Sequence, residues 1–457
     1  MQTCSDTIAA IATAPGRGAV ALLRVSGPDA LAVLRRVCPA LPDPLPPRLQ
    51  RLSALRHPET GELLDRGLVS YFPAPHSYTG EDTVEISTHG GVLAPQLVLD
   101  ALLAAGARTA EPGEFTRRAY LNGRLDLLQA EAVLDLIDGH ARALHRAAVY
   151  QLERGLSRRI EALRAALLRV EALLVYAIDF PEEDEPPVAP EHVRAAADDV
   201  RTQIDALLAT APEAEMLRAG ALLVLAGEPN SGKSSLFNAL LGHERAIVTA
   251  IPGTTRDALE ALLSIEGYPF RLVDTAGLRE TADHVEGMGI EVARRFLRAA
   301  QLVLFCADAG RPLHPAEQAF LAELEPARVL LLRTKTDGGA PRAPHAAPGS
   351  VRAELFVSAH SGEGLPELRR TLLELAFGGI LGEPGEMPLV TRERQARSLR
   401  TARDEVERFL RAWDAQVPAE LAATHLRDAT QRLEELIGAV SVEDVLGRVF
   451  GDFCVGK

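Results

Sequence analysis

The stretch that most constrains the fold of this chain is Gly227-Glu228-Pro229-Asn230-Ser231-Gly232-Lys233-Ser234, which fits GxxxxGK[ST] and lies between the apolar run Leu222 to Ala226 and a helix-compatible run. Such a loop binds phosphates through backbone N–H groups gathered at a helix N-terminus, so a strand must enter it and a helix must leave it. The charge of Lys233 belongs on the β/γ-phosphates and the hydroxyl of Ser234 on Mg²⁺, because a transferring phosphoryl group must have its charge neutralised. An accidental Gly-rich turn is the competing explanation, and the motifs downstream remove it.

From Gly220 to about Phe377, strand, loop and helix alternate in the βα manner, which predicts a parallel sheet with helices on both faces. The expected buried strands are Leu222 to Ala226, Phe270 to Val273, Leu302 to Cys306, Val329 to Leu332 and Leu355 to Val357. Upstream, strand signals at Ala19 to Val25, Gly67 to Phe72 and Thr83 to Ser87 predict a mixed α/β domain. Helical periodicity runs from near Leu125 to Ile178, breaks at Asp179-Phe180-Pro181 and the acidic run Glu182 to Glu185, and resumes from His192 to Leu217. It returns from Arg392 to Ile437 after the Gly/Pro-rich link Gly378 to Pro388. The expectation is a multidomain α/β protein: an N-terminal α/β domain over 1–121, a discontinuous α-helical domain over 122–218 and 379–457, and an inserted P-loop domain over 219–378.

The later motifs fall in the order a guanine-nucleotide switch requires. In Gly253-Thr254-Thr255-Arg256-Asp257 the hydroxyl of Thr255 can reach Mg²⁺ when a γ-phosphate orders the loop. In Asp274-Thr275-Ala276-Gly277, Asp274 can act on the metal's outer shell while the Gly277 backbone senses the γ-phosphate. Asp337, in Thr334-Lys335-Thr336-Asp337, selects the base, because guanine offers adjacent N–H donors that one carboxylate accepts together whereas adenine presents an acceptor there. Lys335 can lie along the base plane, and Ser358-Ala359-His360 can present backbone donors to the guanine oxygen. After the DxxG motif, where Ras-like proteins carry a water-orienting Gln, this chain has Leu278, so water must be positioned some other way. The amide oxygen of Asn230 could help bind a monovalent cation beside the phosphates, although on composition alone Asn230 reads as a turn cap.

Composition narrows the class. With 47% hydrophobic and 25% charged residues and no long apolar run, the chain reads as a globular protein of the cytoplasm with no membrane association. Cys4, Cys38, Cys306 and Cys454 form no CxxC pair, which argues against a disulfide framework or a structural zinc. A formal net charge of −14 restricts any contact with nucleic acid to a local patch.

Taken together, the phosphate loop with Ser235, the run Ile247-Val248-Thr249-Ala250-Ile251-Pro252-Gly253-Thr254-Thr255-Arg256-Asp257 and Asp274-Thr275-Ala276-Gly277-Leu278-Arg279 resemble the MnmE (TrmE) branch of potassium-activated GTPases. The likeness extends across the chain through Asp6-Thr7-Ile8, Pro15-Gly16-Arg17-Gly18, Leu23-Arg24-Val25-Ser26-Gly27, Tyr78-Thr79-Gly80-Glu81-Asp82, His89-Gly90-Gly91, Pro112-Gly113-Glu114-Phe115-Thr116 and the terminal Phe453-Cys454-Val455-Gly456-Lys457. The resemblance implies a folate-binding N-terminal domain that also dimerises, a discontinuous helical domain and an inserted Ras-like GTPase domain. It further implies a K⁺ ion held by Asn230, Thr249, Ile251 and Thr254, and Glu286 as the residue that orients the hydrolytic water. Without the resemblance, Glu286 reads as a solvated surface charge.

A 5-formyl- or 5,10-methylene-tetrahydrofolate is implied at Arg24, Glu85, Arg124 and Lys457, where structural ion pairing is the alternative for Arg24 and Glu85. Cys454 is implied as a reactive thiol, with a packed thiol as the alternative. The implied partners are a second copy, tRNA, and the FAD-dependent MnmG in a heterotetramer. With them the chain would add an aminomethyl or carboxymethylaminomethyl group to the wobble uridine. Thr334 stands where Asn is usual, which removes an amide brace between base site and phosphate loop and predicts weaker nucleotide binding. Arg124 replaces a common Lys, and His360 a frequent Lys or Arg. The rivals are a GTP-dependent ribosome-assembly switch, which usually carries a basic RNA-binding domain, and a dynamin-like remodeller, which needs a basic amphipathic or lipidated surface.

Overall fold

Two separate sheets, each built on its own pattern of apolar residues, organise the chain. A computed structural model describes residues 6–139, 142–179, 189–243, 260–274, 294–338, 351–381, 390–439, 443–451 and 453–456. They fall into two units: Met1–Leu134 with Tyr150–Arg201 and Thr401–Lys457, and Asp135–Val149 with Thr202–Arg400.

In the first unit, β1 (Ile8–Ile11), β2 (Val20–Ser26), β3 (Arg51–Arg56), β4 (Leu63–Phe72), β5 (Thr83–His89) and β6 (Arg108–Thr109) form a sheet in the order β3-β4-β5-β2-β1-β6. Leu23, Val25, Val69, Val84 and Ile86 alternate with more polar residues and pack against helices Ala30–Val37 and Leu93–Ala104. One face is therefore covered, as the alternation requires. The expected strands are present: β4 and β5 extend beyond the residues read, and β2 has the length read but is displaced by one residue from Ala19 to Val25. The strands β1, β3 and β6 were not expected, because β1 is half alanine and β6 spans only Arg108–Thr109, leaving little β-propensity to detect.

The long periodic run beginning near Leu125 is broken into helices Leu127–Asp138, Arg142–Leu152 and Gly155–Asp179. The last break falls where Arg154 takes φ 64° and a Cβ on Gly155 would run into the Tyr150 ring. Helix Gly155–Asp179 is joined to helix Ala419–Ile437 by the pair Arg164–Glu434. The latter helix stops at Gly438, left-handed at φ 81°, whose carbonyl accepts from the Tyr120 hydroxyl at 2.7 Å.

In the second unit, β7 (Ala221–Gly227), β8 (Glu260–Ile265), β9 (Tyr268–Asp274), β10 (Leu302–Asp308), β11 (Val329–Thr334) and β12 (Ala353–Phe356) lie in the order β12-β11-β10-β7-β9-β8. All neighbours are parallel except β8 with β9. The five expected strands are all there. Only the edge strand β8 was not foreseen, since its Glu-Ala start is poor in β-formers. Alternate residues serve opposite faces. Leu223, Leu225, Leu304 and Leu332 meet Leu236 and Leu240 of helix Lys233–His243, while Val224, Val303, Phe305 and Leu331 meet Leu313 and Leu321 on the other side. A sheet covered on both faces explains why β7 and β11 are apolar almost without interruption. No helix among the described residues is long and apolar enough to cross a membrane.

Candidate nucleotide and folate sites

The phosphate loop leaves β7 through Gly227, whose φ is 139° and whose Cβ, if it had one, would lie 2.3 Å from the Cys306 carbonyl on β10. Asn230 holds the left-handed region at φ 63°, which asparagine tolerates better than most residues. Lys233 opens the following helix, is 5% exposed, and donates through Nζ to the carbonyls of Gly227 (3.1 Å) and Glu228 (2.7 Å). Its cation is thereby fixed over the loop where phosphate oxygens would arrive. Ser231 is buried, while Ser234 and Ser235 face solvent.

Parallel pairing of β7 with β9 sets Leu225 beside Asp274. That register brings Asp274, 8% exposed, to the Ser234 hydroxyl, which donates to its Oδ2 at 3.1 Å. A hydroxyl and a carboxylate already hydrogen-bonded at the mouth of the loop suit Mg²⁺, which takes oxygen ligands and keeps several of its waters. Of the residues expected to hold K⁺, Asn230 is described, and Thr249, Ile251 and Thr254 lie outside the described residues, as do Ala250, Pro252, Gly253, Thr255, Thr275, Ala276, Gly277, Glu286 and Lys457.

The base-reading motif sits at the neighbouring strand end. Thr334 closes β11, and its hydroxyl donates to the Ser231 carbonyl at 2.7 Å, with the Ala307 carbonyl at 3.2 Å. A hydroxyl has one proton, so the shorter bond is the principal one. The amide is absent, as read from the sequence, and the threonine hydroxyl reaches the phosphate loop in its place. Gly232 lies beside it at φ 89°, a backbone conformation that favours glycine.

Lys335 takes φ 61° and pairs through Nζ with Asp308 Oδ2 at 3.0 Å, and the Thr336 hydroxyl donates to Glu363 at 3.3 Å. Asp337 accepts from the Ser358 hydroxyl at 2.9 Å, and this bond holds its carboxyl below the ordinary aspartate value. Ser358 is buried, with Ala359 and exposed His360 following it in the same turn.

In the first unit, Arg24 and Glu85 are cross-strand neighbours in the β2–β5 register. Arg24 donates from Nε (3.1 Å) and Nη2 (2.8 Å) to the same oxygen, Glu85 Oε1. The guanidinium lies 5.0 Å from the Tyr78 ring and 5.7 Å from the Phe115 ring, a cation–π arrangement. The Tyr78 hydroxyl is 2.9 Å from that of Thr116. Arg124 is exposed and runs along Gly80, the Asn122 side chain donating beside it to the Thr79 carbonyl at 2.8 Å. Arg24, Glu85 and Arg124 are thus gathered around the Tyr78–Asp82 loop. The aromatic rings fit a flat heterocycle, and a carboxylate fits the adjacent N–H donors of a pterin, so the donor set suits a folate.

The sequence places Tyr78 and Phe115 in motif segments without giving them a role, and does not mark Arg118 at all. Arg118, 1% exposed, pairs with Asp6 (2.8 Å), Glu81 (3.1 Å) and Glu114 (2.9 Å). The available signal was an acid in each of three motif segments, with a lone arginine able to meet them. Cys454 is exposed, Val455 bridges to Pro112, and Gly456 packs at φ 99° where a Cβ would strike the Ile11 carbonyl at 2.5 Å. The terminal motif is seated on the first sheet, and its thiol is open to solvent.

Known proteins resemble the chain along its whole length. The chain matches the GTP-binding protein TrmE N-terminus over residues 7–124 and the MnmE helical domain over residues 127–454. It is 42% identical over 473 residues to the tRNA modification GTPase MnmE of Moorella thermoacetica, covering 99% of each chain. It is 44% identical over 468 residues to the protein of the same name from Ralstonia nicotianae, covering 98% of this chain and 96% of that one. The G domain of the T. maritima FeoB iron transporter is 30% identical over 34% of this chain and 98% of that one, with a TM-score of 0.28. The chain belongs to the MnmE family of tRNA modification GTPases.

Proposed function

We propose that this chain hydrolyses GTP to drive a conformational cycle in which a homodimer, working with an FAD-dependent MnmG partner in the cytoplasm, adds an aminomethyl or carboxymethylaminomethyl group to the wobble uridine of tRNA. The observation that carries the nucleotide part is the Thr334–Ser231 bond, which fastens the strand end that leads into the Asp337 motif to the loop before Lys233, where Ser234 pairs with Asp274. Lys233 places positive charge on the phosphates, Ser234 with Thr255 takes Mg²⁺, and Asp337 accepts the guanine donors. Asn230, with Thr249, Ile251 and Thr254, holds K⁺, which supplies the charge an arginine finger gives elsewhere. Glu286 orients the water that Leu278 cannot.

Arg24, Glu85, Arg124 and Lys457 bind the tetrahydrofolate that brings the one-carbon unit, and Cys454 is a thiol free to react at that end. The segments 1–121, 122–218 with 379–457, and 219–378 are the working bodies of the cycle. Purified chain mixed with undermodified tRNA, the flavin partner, folate and K⁺ should form the modified uridine with GTP and not with GDP. Equal product with both nucleotides would sever hydrolysis from modification.

A further inference from the structure

Arg311, in the turn after β10, stands among three carboxylates. Its Nη1 and Nη2 donate to the two oxygens of Glu317 at 2.7 and 2.9 Å, the forked geometry that makes Arg–carboxylate pairs strong. Nη2 also donates to Glu228 Oε2 in the phosphate loop at 3.0 Å. The Asp308 carboxylate, which holds Lys335 of the base motif, adds its field. Glu317 is 2% exposed and anchored by the His314 backbone N–H at 2.8 Å, and a buried carboxylate cannot release its cation cheaply. The backbone of Arg311 is held as well: its carbonyl accepts from Arg333 Nη1 at 3.3 Å, and Arg333, 1% exposed, is fixed by Glu354 at 2.7 Å.

A loop that must attract phosphates is poorly served by an acid of its own. Glu228 is such an acid, and its backbone carbonyl is also one of the two that hold Lys233 Nζ. We propose that Arg311 is a positioning residue of the nucleotide site: anchored by Glu317, it neutralises and tethers Glu228, keeping the phosphate loop electropositive and in step with the base motif. It acts through Glu228, and it rests on the reading of this loop as the GTP site.

The test is titration of the full-length chain with fluorescent GDP and with a non-hydrolysable GTP analogue. Arg311→Ala is expected to weaken GDP binding on the order of tenfold, the GTP analogue more, and both losses to shrink as salt is raised. Adding Glu228→Gln to Arg311→Ala removes the exposed charge and is expected to restore most of the affinity, a rescue that a merely structural role for Arg311 does not allow. Because Arg311→Ala leaves Glu317 unpaired, the pair Arg311→Gln with Glu317→Gln gives a neutral, hydrogen-bonded background in which the same Glu228→Gln rescue is measured. Unchanged affinity in folded Arg311→Ala, or a loss that Glu228→Gln does not reverse in either background, overturns the proposal. A wild-type chain that binds no GDP overturns instead the assignment of the loop.

Discussion

The Thr334 hydroxyl donates to the Ser231 carbonyl over 2.7 Å, so the strand end that reads the base is fastened to the loop that holds the phosphates. Thr334→Val keeps the shape and removes the donor, leaving a buried carbonyl unpaired at a cost of about 1–3 kcal/mol. GDP and GTP affinities should fall together by roughly 5- to 100-fold, while Thr334→Asn keeps a donor and stays close to wild type. Titration calorimetry decides it, and equal affinities for wild type and Thr334→Val would show that the brace is idle.

Asp337→Asn replaces an acceptor pair with one acceptor and one donor, which suits xanthine in place of guanine. Steady-state kinetics should show GTP turnover per KM reduced by roughly 100-fold and XTP turnover raised. Because the Ser358 hydrogen bond lowers the Asp337 pKa from its reference of 3.8, the carboxylate stays charged well into acid. Selectivity for guanine over adenine should accordingly be flat from pH 8 to about pH 5. A decline in selectivity between pH 7 and pH 5 would place the discrimination elsewhere.

Burial pushes the Glu114 carboxyl up, but Arg108, the Glu111 backbone N–H and Arg118 together outweigh it, so its pKa lies below the reference of 4.5. A carboxyl lowered on folding stabilises fully above its unfolded value, and that stability is lost as pH falls through the folded value. Glu114→Gln should cost about 3 kcal/mol at pH 7, since it strips a buried partner from Arg118, and should flatten the loss of stability below about pH 4.5. Urea unfolding of both proteins at pH 7 and in mild acid checks each part; a Gln variant as stable as wild type at pH 7 would rule out a stabilising role for the pair.

What could be read from the sequence was contiguous. The phosphate loop and the Asp337 motif each lie at the end of an apolar strand, and the parallel sheet follows from the strands between them. The Arg118 cluster draws on Asp6, Glu81 and Glu114, and Arg311 joins Glu228 to Glu317; these partners meet only after the chain has folded, and no spacing rule announces them. At Thr334 the limit is a different one. Residue type records that an amide is missing, but not that a shorter hydroxyl still spans the gap to the phosphate loop.

Potassium should accelerate hydrolysis over sodium, on the strength of Asn230 in the loop and of Leu278 where a water-orienting Gln stands in Ras-like proteins. Glu286→Ala should retain GDP binding while losing most turnover, by roughly 100-fold or more. Phosphate-release assays in the two salts decide the first point, and turnover of the variant at saturating GTP decides the second. Equal rates in sodium and potassium, or undiminished turnover without Glu286, would each remove the corresponding group from the mechanism.

The most direct measurement is nucleoside analysis of bulk tRNA from cells with and without this gene. The wobble-uridine modification should disappear on deletion, return with the intact gene, and fail to return with Asp274→Ala, which removes the carboxylate paired with Ser234. An unchanged modification profile on deletion would contradict the account and direct attention to ribosome assembly as the target of the GTPase.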